Sequence, residues 1–283
     1  MEYRDFEKIV FDDIDDFNTV HIFECGQCFR WIPEDAEDAG ANPAYIGVAG
    51  SYAARVSYEG RRLTIEASGG DRKFWADYFD LNTDYGEIKR MLSKSEPILK
   101  EAADYGYGIR ILNQDLFETV ISFIISQNNN IPRIRKNVES LCERYGEFIG
   151  NINGKDVYAF PKAEALAAAS PEELAELKLG YRCAYITESS REYIEHGAPS
   201  CREELIKMHG IGPKVANCIM LFGLKDVEAF PLDTWVRHIM NDIYGLDEKD
   251  DEGMYKIARE RYGKYAGYAQ QYLFYYYRDK GNK

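Results

Sequence analysis

LIKMHGIGPKVANCIMLFGLKDVEAFPLD, running from Leu205 to Asp233, is the stretch whose reading decides the fold. Gly210 and Gly212 flank Ile211 and can take backbone angles that a Cβ would forbid. His209-Gly210-Ile211-Gly212 can therefore turn tightly ahead of a helix. Pro213 suits the first helical turn, where a missing N–H costs nothing. Amide donors at such a turn, added to the positive end of the helix, make an anion site that needs no basic side chain, and phosphate is the anion it suits. Lys214 then begins a face continued at i+4 steps by Cys218 and Phe222, so an amine, a thiol and an apolar ring share one wall. That arrangement reads as a nucleophile above a flat apolar ligand. The alternative is an ordinary Gly-x-Gly turn followed by a solvated lysine.

The rest of the chain bounds this reading. A length of 283 residues with 45% hydrophobic content allows two modest domains with real cores and excludes wholesale disorder. No apolar run approaches membrane-spanning length, and the acidic start MEYRDFEKIVFDDIDDF is unlike a signal or transit peptide. The expectation is a soluble intracellular protein, cytoplasmic in a prokaryote or nuclear in a eukaryote, with no membrane partner. Six cysteines, at 25, 28, 142, 183, 201 and 218, are too irregularly spaced for a disulfide framework. Cys25-x-x-Cys28 has no second pair to complete a metal site, so reduced thiols, no metal and no cofactor are expected.

The net charge of −13 argues against nonspecific nucleic-acid binding more than against a local site. Acids gather in peripheral runs, Asp12 to Asp16 and Asp247 to Glu252, whereas Arg133, Arg135 and Lys136 cluster just after an asparagine triplet. A localised basic strip on an acidic body is the expectation. A solvated helix face explains Arg135 and Lys136 equally well.

Hydrophobic periodicity changes once. Residues 19 to 67 hold short alternating runs, YIGVAG, YAARVSY and RRLTIEA, broken by glycines and a turn, which predict antiparallel strands. From Lys73 onward the spacing is helical, most clearly over Asp115 to Ile125, Arg133 to Tyr145, Pro171 to Leu177, Lys214 to Gly223 and Thr234 to Tyr244. The predicted class is α+β. An N-terminal antiparallel β domain with a connecting helix (1–95) precedes a mainly helical region (96–283) that contains a helix-hairpin-helix motif.

The glycine hairpin, together with Pro231-Leu232-Asp233, resembles the helix-hairpin-helix and Gly/Pro-Asp element of the base-excision DNA glycosylase superfamily. In its lysine-bearing branches the lysine precedes the aspartate by this distance, 233 − 214 = 19 positions. SFIISQNNNIPRI (122–134), LGYRCAY (179–185), GQCFRW (26–31) and GYAQQYLF (267–274) resemble the 8-oxoguanine DNA glycosylases. Endonuclease III relatives usually carry a four-cysteine iron–sulfur loop near the C-terminus, whereas the last cysteine here is Cys218. Alkyl-base glycosylases lack the lysine.

The resemblance implies a metal-free bifunctional glycosylase/AP lyase that flips 8-oxoguanine out of duplex DNA, working as a monomer. A glycosylase for another damaged purine and a noncatalytic DNA-binding module are the rivals. Lys214 would attack C1′ and Asp233 would stabilise the positive charge developing on the sugar, while also capping the following helix. Burial and the helix start would both lower the lysine's pKa. The carbonyl of Gly26 would read the protonated N7, Phe274 and Cys218 would sandwich the base, and Gln270 would pair with its Watson–Crick edge. Asn128 would fill the vacated gap, Tyr181 would wedge beside the opposite base, and Arg133 and Arg182 would contact that base. His209, Gly210 and Gly212 would hold phosphate. Two residues depart from the family pattern: Trp235 stands where a histidine is frequent in eukaryotic relatives, and Phe222, in the pocket wall, stands where methionine is common.

Overall fold

The computed structural model describes residues 6–34, 42–152 and 154–281; the first residues of the acidic start, Met1 to Asp5, lie outside them. A five-stranded antiparallel sheet has the order β1-β5-β4-β3-β2, formed by Glu7–Phe11, Trp31–Pro33, Tyr45–Ala49, Tyr52–Glu59 and Arg62–Ala67 numbered β1 to β5. The register sets Ile65 opposite both Ile9 and Val56, so alternate residues of three strands face one core. Helices α1 (Thr19–Phe23) and α2 (Arg72–Tyr78) bring Phe23, Trp75 and Phe79 onto that face, where Trp31 stacks on Phe23 at 4.6 Å.

The helical part runs through α3 (Tyr85–Ser95), α4 (Pro97–Tyr105), α5 (Leu116–Ser126), α6 (Ile131–Tyr145), α7 (Ala163–Ala168) and α8 (Pro171–Glu176). It continues with α9 (Arg182–His196), α10 (Arg202–Lys207), α11 (Pro213–Phe222), α12 (Thr234–Tyr244), α13 (Asp251–Arg261) and α14 (Ala266–Gly281). The five helices expected from periodicity lie within two residues of their predicted ends. The change of period at Lys73 is not complete, because a β-hairpin, β6 (Phe148–Ile152) and β7 (Lys155–Tyr158), interrupts the helices. Strand β1 also precedes the residues read as β. Both misses are short segments whose alternation spans too few residues to stand out.

Helix α5 explains how the site is held. Phe117 to Ile125 are all buried, so the helix is enclosed by its neighbours rather than amphipathic. Each of its isoleucines stabilises the fold by about 1.5–3 kcal/mol through burial. Asp115 caps its start by accepting from the Glu118 N–H at 2.9 Å. Its end delivers the Gln127–Asn130 loop to the surface. On the other side Gln27, itself buried, donates to the carbonyls of Ile22 (2.9 Å) and Arg110 (2.7 Å) and accepts from the Leu112 N–H (2.9 Å). A fully satisfied amide thus straps the Gly26 loop to the helical region. All six cysteines are free, and no helix among the described residues is long and apolar enough to cross a membrane.

Candidate active site

A cleft of about 520 Å³ opens between α5, the loop before α6, α11, the start of α12, α14 and the Gly26 loop. It brings together Gly26, Lys214, Cys218, Phe222, Asp233, Gln270 and Phe274, which lie up to 248 positions apart (274 − 26). Gly26 has φ +82°, and a Cβ there would sit 3.4 Å from the Phe274 ring, so glycine lets backbone and ring face each other. Gln270 and Phe274, four apart on α14, share the face that the i+4 rule predicts.

Lys214 is half-buried in this cleft. Its Nζ lies 5.7 Å from the centre of the Phe123 ring, which stacks on Phe222 at 5.5 Å. The lysine is held above its ordinary pKa, by the Cys218 sulfur first and by Asp233 as well, and burial only partly opposes them. The expected lowering is therefore not what the structure shows: burial acts in the predicted direction, but two nearby electron-rich groups outweigh it. Burial pushes the Cys218 thiol up, and burial also lifts the Asp233 carboxyl, against the opposing Val236 N–H. Asp233 Oδ1 accepts from the Val236 N–H at 2.8 Å, capping α12 while its carboxyl faces the cleft.

At the mouth, the expected DNA-facing residues are coupled through Gln127. Its Nε2 donates to the Gly210 carbonyl at 3.0 Å, tying the end of α5 to the glycine turn. Its own carbonyl accepts from Tyr181 Oη (3.3 Å) and from the Arg182 guanidinium. Asn128, at φ +47°, donates to Tyr181 Oη at 3.2 Å. Tyr181 is 49% exposed, unusual for an aromatic ring and consistent with a wedge at the surface.

The structure adds detail to four expectations about this surface. Arg182 is buried, and its guanidinium bonds the carbonyls of Leu179 and Asn128 at 3.2 Å as well as that of Gln127, so without DNA it braces the loop that carries Asn128. Arg135 is paired with Glu24 at 2.9 Å, which reduces the basic strip to the exposed Arg133 and Lys136. The His209 N–H donates to Glu192 Oε2 at 2.7 Å and is not free for phosphate. Only one glycine of the turn needs to be glycine for its backbone: Gly210 has φ +79° and a Cβ would meet the Tyr185 ring at 2.5 Å, whereas Gly212 has φ −91° with nothing within 4 Å. The N–H groups of Gly212, Lys214 and Val215 have no partner among the described residues, so the amide donors sit at the helix start itself.

Residues the sequence reading passed over also line the cleft: Phe123, Gln271 and Arg278, the last with Cζ 5.5 Å from the Phe274 ring and Nη1 donating to the Glu24 carbonyl at 2.6 Å. Arg278 lies four positions beyond Phe274, so the i+4 rule could have found it. Trp235, noted above as a departure, stands at the same cleft.

Comparison with known proteins agrees with the geometry. Residues 9–120 match the family model of the 8-oxoguanine DNA glycosylase N-terminal domain, and residues 121–264 match that of the HhH-GPD superfamily base excision DNA repair proteins. A probable N-glycosylase/DNA lyase of Methanothermobacter thermautotrophicus is 33% identical over 72% of this chain and 73% of its own length. The N-glycosylase/DNA lyase of Saccharomyces cerevisiae is 29% identical over 90% of this chain and 81% of its own. The Clostridium acetobutylicum 8-oxoguanine glycosylase/lyase, solved with double-stranded DNA carrying cytosine opposite 8-oxoguanine, superposes with a TM-score of 0.89 at 37% identity, covering 98% of this chain and 99% of that one. With family models spanning nearly the whole chain and a sheet-then-helix architecture to match, this protein belongs to the 8-oxoguanine DNA glycosylase family of the HhH-GPD superfamily.

Proposed function

We propose that the protein is a bifunctional DNA glycosylase/AP lyase that excises 8-oxoguanine from duplex DNA in base-excision repair, acting inside the cell as a monomer. The observation that carries this reading is the convergence of a half-buried lysine, a half-buried carboxyl, a thiol, an amide and an aromatic ring, Lys214, Asp233, Cys218, Gln270 and Phe274, in one cleft of about 520 Å³. Neutral Lys214 attacks C1′, the C1′–N9 bond breaks, and the base leaves with the bonding pair and takes up a proton. The C1′–O4′ bond then opens and O4′ takes up a proton, leaving an iminium between Lys214 and C1′ that acidifies C2′–H, and loss of that proton with β-elimination expels the 3′ phosphate. Asp233 stabilises the positive charge that appears on the sugar. The Gly26 carbonyl accepts from the N7–H that distinguishes oxidised from normal guanine, and Phe222 with Phe123 forms the apolar wall. Asn128 and Tyr181 occupy and flank the gap left in the duplex, Arg133 reaches the opposite base, and the amides beginning at Gly212 hold phosphate. Arg182 acts one step back, by fixing the loop that carries Asn128.

Borohydride trapping on duplexes with 8-oxoguanine opposite each of the four bases tests the reading, since only an imine-forming enzyme gives a covalent adduct. Lys214→Gln is expected to lose trapping and base release while keeping lesion-DNA binding. Undiminished strand cleavage by that variant removes Lys214 from the chemistry.

A further inference from the structure

Two adjacent glutamines on one helix ordinarily point about 100° apart and do not meet. Here Gln271 Nε2 donates to Gln270 Oε1 at 2.9 Å, with both residues only 3% exposed and both lining the catalytic cleft. The Oε1 of Gln271 is buried with no partner. Its neighbours Ala269, Tyr272 and Leu273 are buried too. A purely structural residue among them would avoid a half-satisfied amide by being apolar.

Resting on the reading of the cleft as a base pocket, we propose that Gln271 fixes which way round the Gln270 amide faces the base. By engaging the carbonyl end of Gln270 it leaves Nε2 as the end presented to the cleft. The pocket then offers N–H donors where C6 of a purine arrives. An oxidised guanine brings a carbonyl there and is matched. An oxidised adenine brings an amine there, so donor meets donor, and such a mismatch is rejected. Gln271 is thus a positioning residue that sets the preference for 6-oxo over 6-amino purines.

The test is single-turnover release of 8-oxoguanine and of 8-oxoadenine from otherwise identical duplexes. The wild type is expected to favour 8-oxoguanine by at least about 100-fold, independently of pH between 6 and 9. Gln271→Met fills similar space but cannot hold the Gln270 amide, and its ratio is expected to fall about 10-fold. Gln271→Glu gives a sign. Ionised, it can only accept, so it draws Gln270 Nε2 toward itself and turns Oε1 to the base. Its ratio should therefore fall as pH rises, with 8-oxoadenine release increasing while 8-oxoguanine release drops. A structural role would lower both rates together and leave the ratio alone. Trapping on an abasic duplex, which bypasses base recognition, reports that each variant is folded with a competent Lys214. Unchanged ratios in the variants that trap overturn the inference, and so does loss of abasic trapping in both. A wild type that releases neither base fails the reading of the cleft itself, and the inference with it. A wild type that releases 8-oxoguanine beside variants with unchanged ratios fails this inference alone.

Discussion

Asp233 is asked to do two things, and Asp233→Asn separates them from Asp233→Ala. The first task is structural: Oδ1 accepts from the Val236 N–H at 2.8 Å to cap α12. Alanine loses that bond, at a cost of about 1 kcal/mol, or about 2–4 °C in Tm for a chain of this size. Asparagine keeps an acceptor in the same place. The second task is electrostatic. Burial lifts the folded-state carboxyl above its ordinary value of 3.8, so its contribution to stability is fully present below pH 3.8 and is lost as pH rises through the folded value. At pH 7 the ionised group therefore works against the fold, and Asn removes that penalty. Asp233→Asn should melt no lower than the wild type at pH 7, with any gain vanishing on acidification below about 4. Base release should nevertheless fall by about 100- to 1,000-fold, the usual cost of removing one preorganised electrostatic stabiliser. Lys214, held up by Cys218 and by Asp233, should lose the second influence, moving the acidic limb of the rate–pH profile to lower pH. Thermal melts at pH 3.5, 5 and 7 with single-turnover excision measure all of this. Full base release by the Asn variant would show that Asp233 is only a cap, and an Asn variant that melts as low as Ala would refute the capping argument.

Three further outcomes follow from the same geometry. Cys218, 4% exposed in the cleft wall, should not tolerate a large ring: Cys218→Trp is expected to block excision while duplex binding survives, and normal excision would place the thiol outside the pocket. The two glycines of the turn should part company. Gly210→Ala meets both a left-handed backbone and the Tyr185 ring and should cost about 1–3 kcal/mol in a melt. Gly212→Asp has open space and should leave stability within about 0.5 kcal/mol, yet weaken binding to every DNA sequence because it sets a negative charge beside the amide donors. With amides as the main phosphate ligands, about two to five contacts should give a slope of log affinity against log salt of about −2 to −4.5, and a steeper one would reveal a basic surface not described above.

What could be read from the chain alone was whatever depends on short spacing. The strands of residues 45–67 follow from alternation, and the wall of Lys214, Cys218 and Phe222 follows from i+4 steps. Residues far apart in sequence were placed by resemblance, not by pattern; no local rule sets Gly26 against Phe274. Partner choice was hidden for the same reason. Glu24 claims Arg135 from 111 positions away, and Glu192 claims the His209 amide from 17. The acidic run at Asp12 to Asp16 weighs on the net charge of −13, but Asp12, Asp15 and Asp16 are paired with Arg62, Arg61 and Lys89. Net charge counts these acids at full weight, whereas a paired acid contributes little field beyond about 10 Å at 0.1 M salt.

The lysine's charge shows most clearly why a spacing rule falls short of mechanism. Burial and the helix start, both readable from sequence, argue for a neutral amine. Cys218 and Asp233 reverse the balance, and their effect depends on how the cleft closes around them. The reversal suits the proposed reaction. A half-buried carboxylate with no positive neighbour is costly, and the raised pKa of Lys214 favours an ammonium beside Asp233 at rest. In that reaction the proton Lys214 gives up passes to the departing base, and the positive charge Asp233 needs reappears on the sugar as the C1′–N9 bond breaks. One carboxylate thus faces one positive charge at both stages, and the charge moves from amine to sugar without a second ionised group entering the low-dielectric cleft. A Lys214 already neutral in the resting enzyme would leave Asp233 uncompensated until the transition state. On the proposed reaction, the elevated lysine is the resting half of a charge exchange whose other half is the departing base.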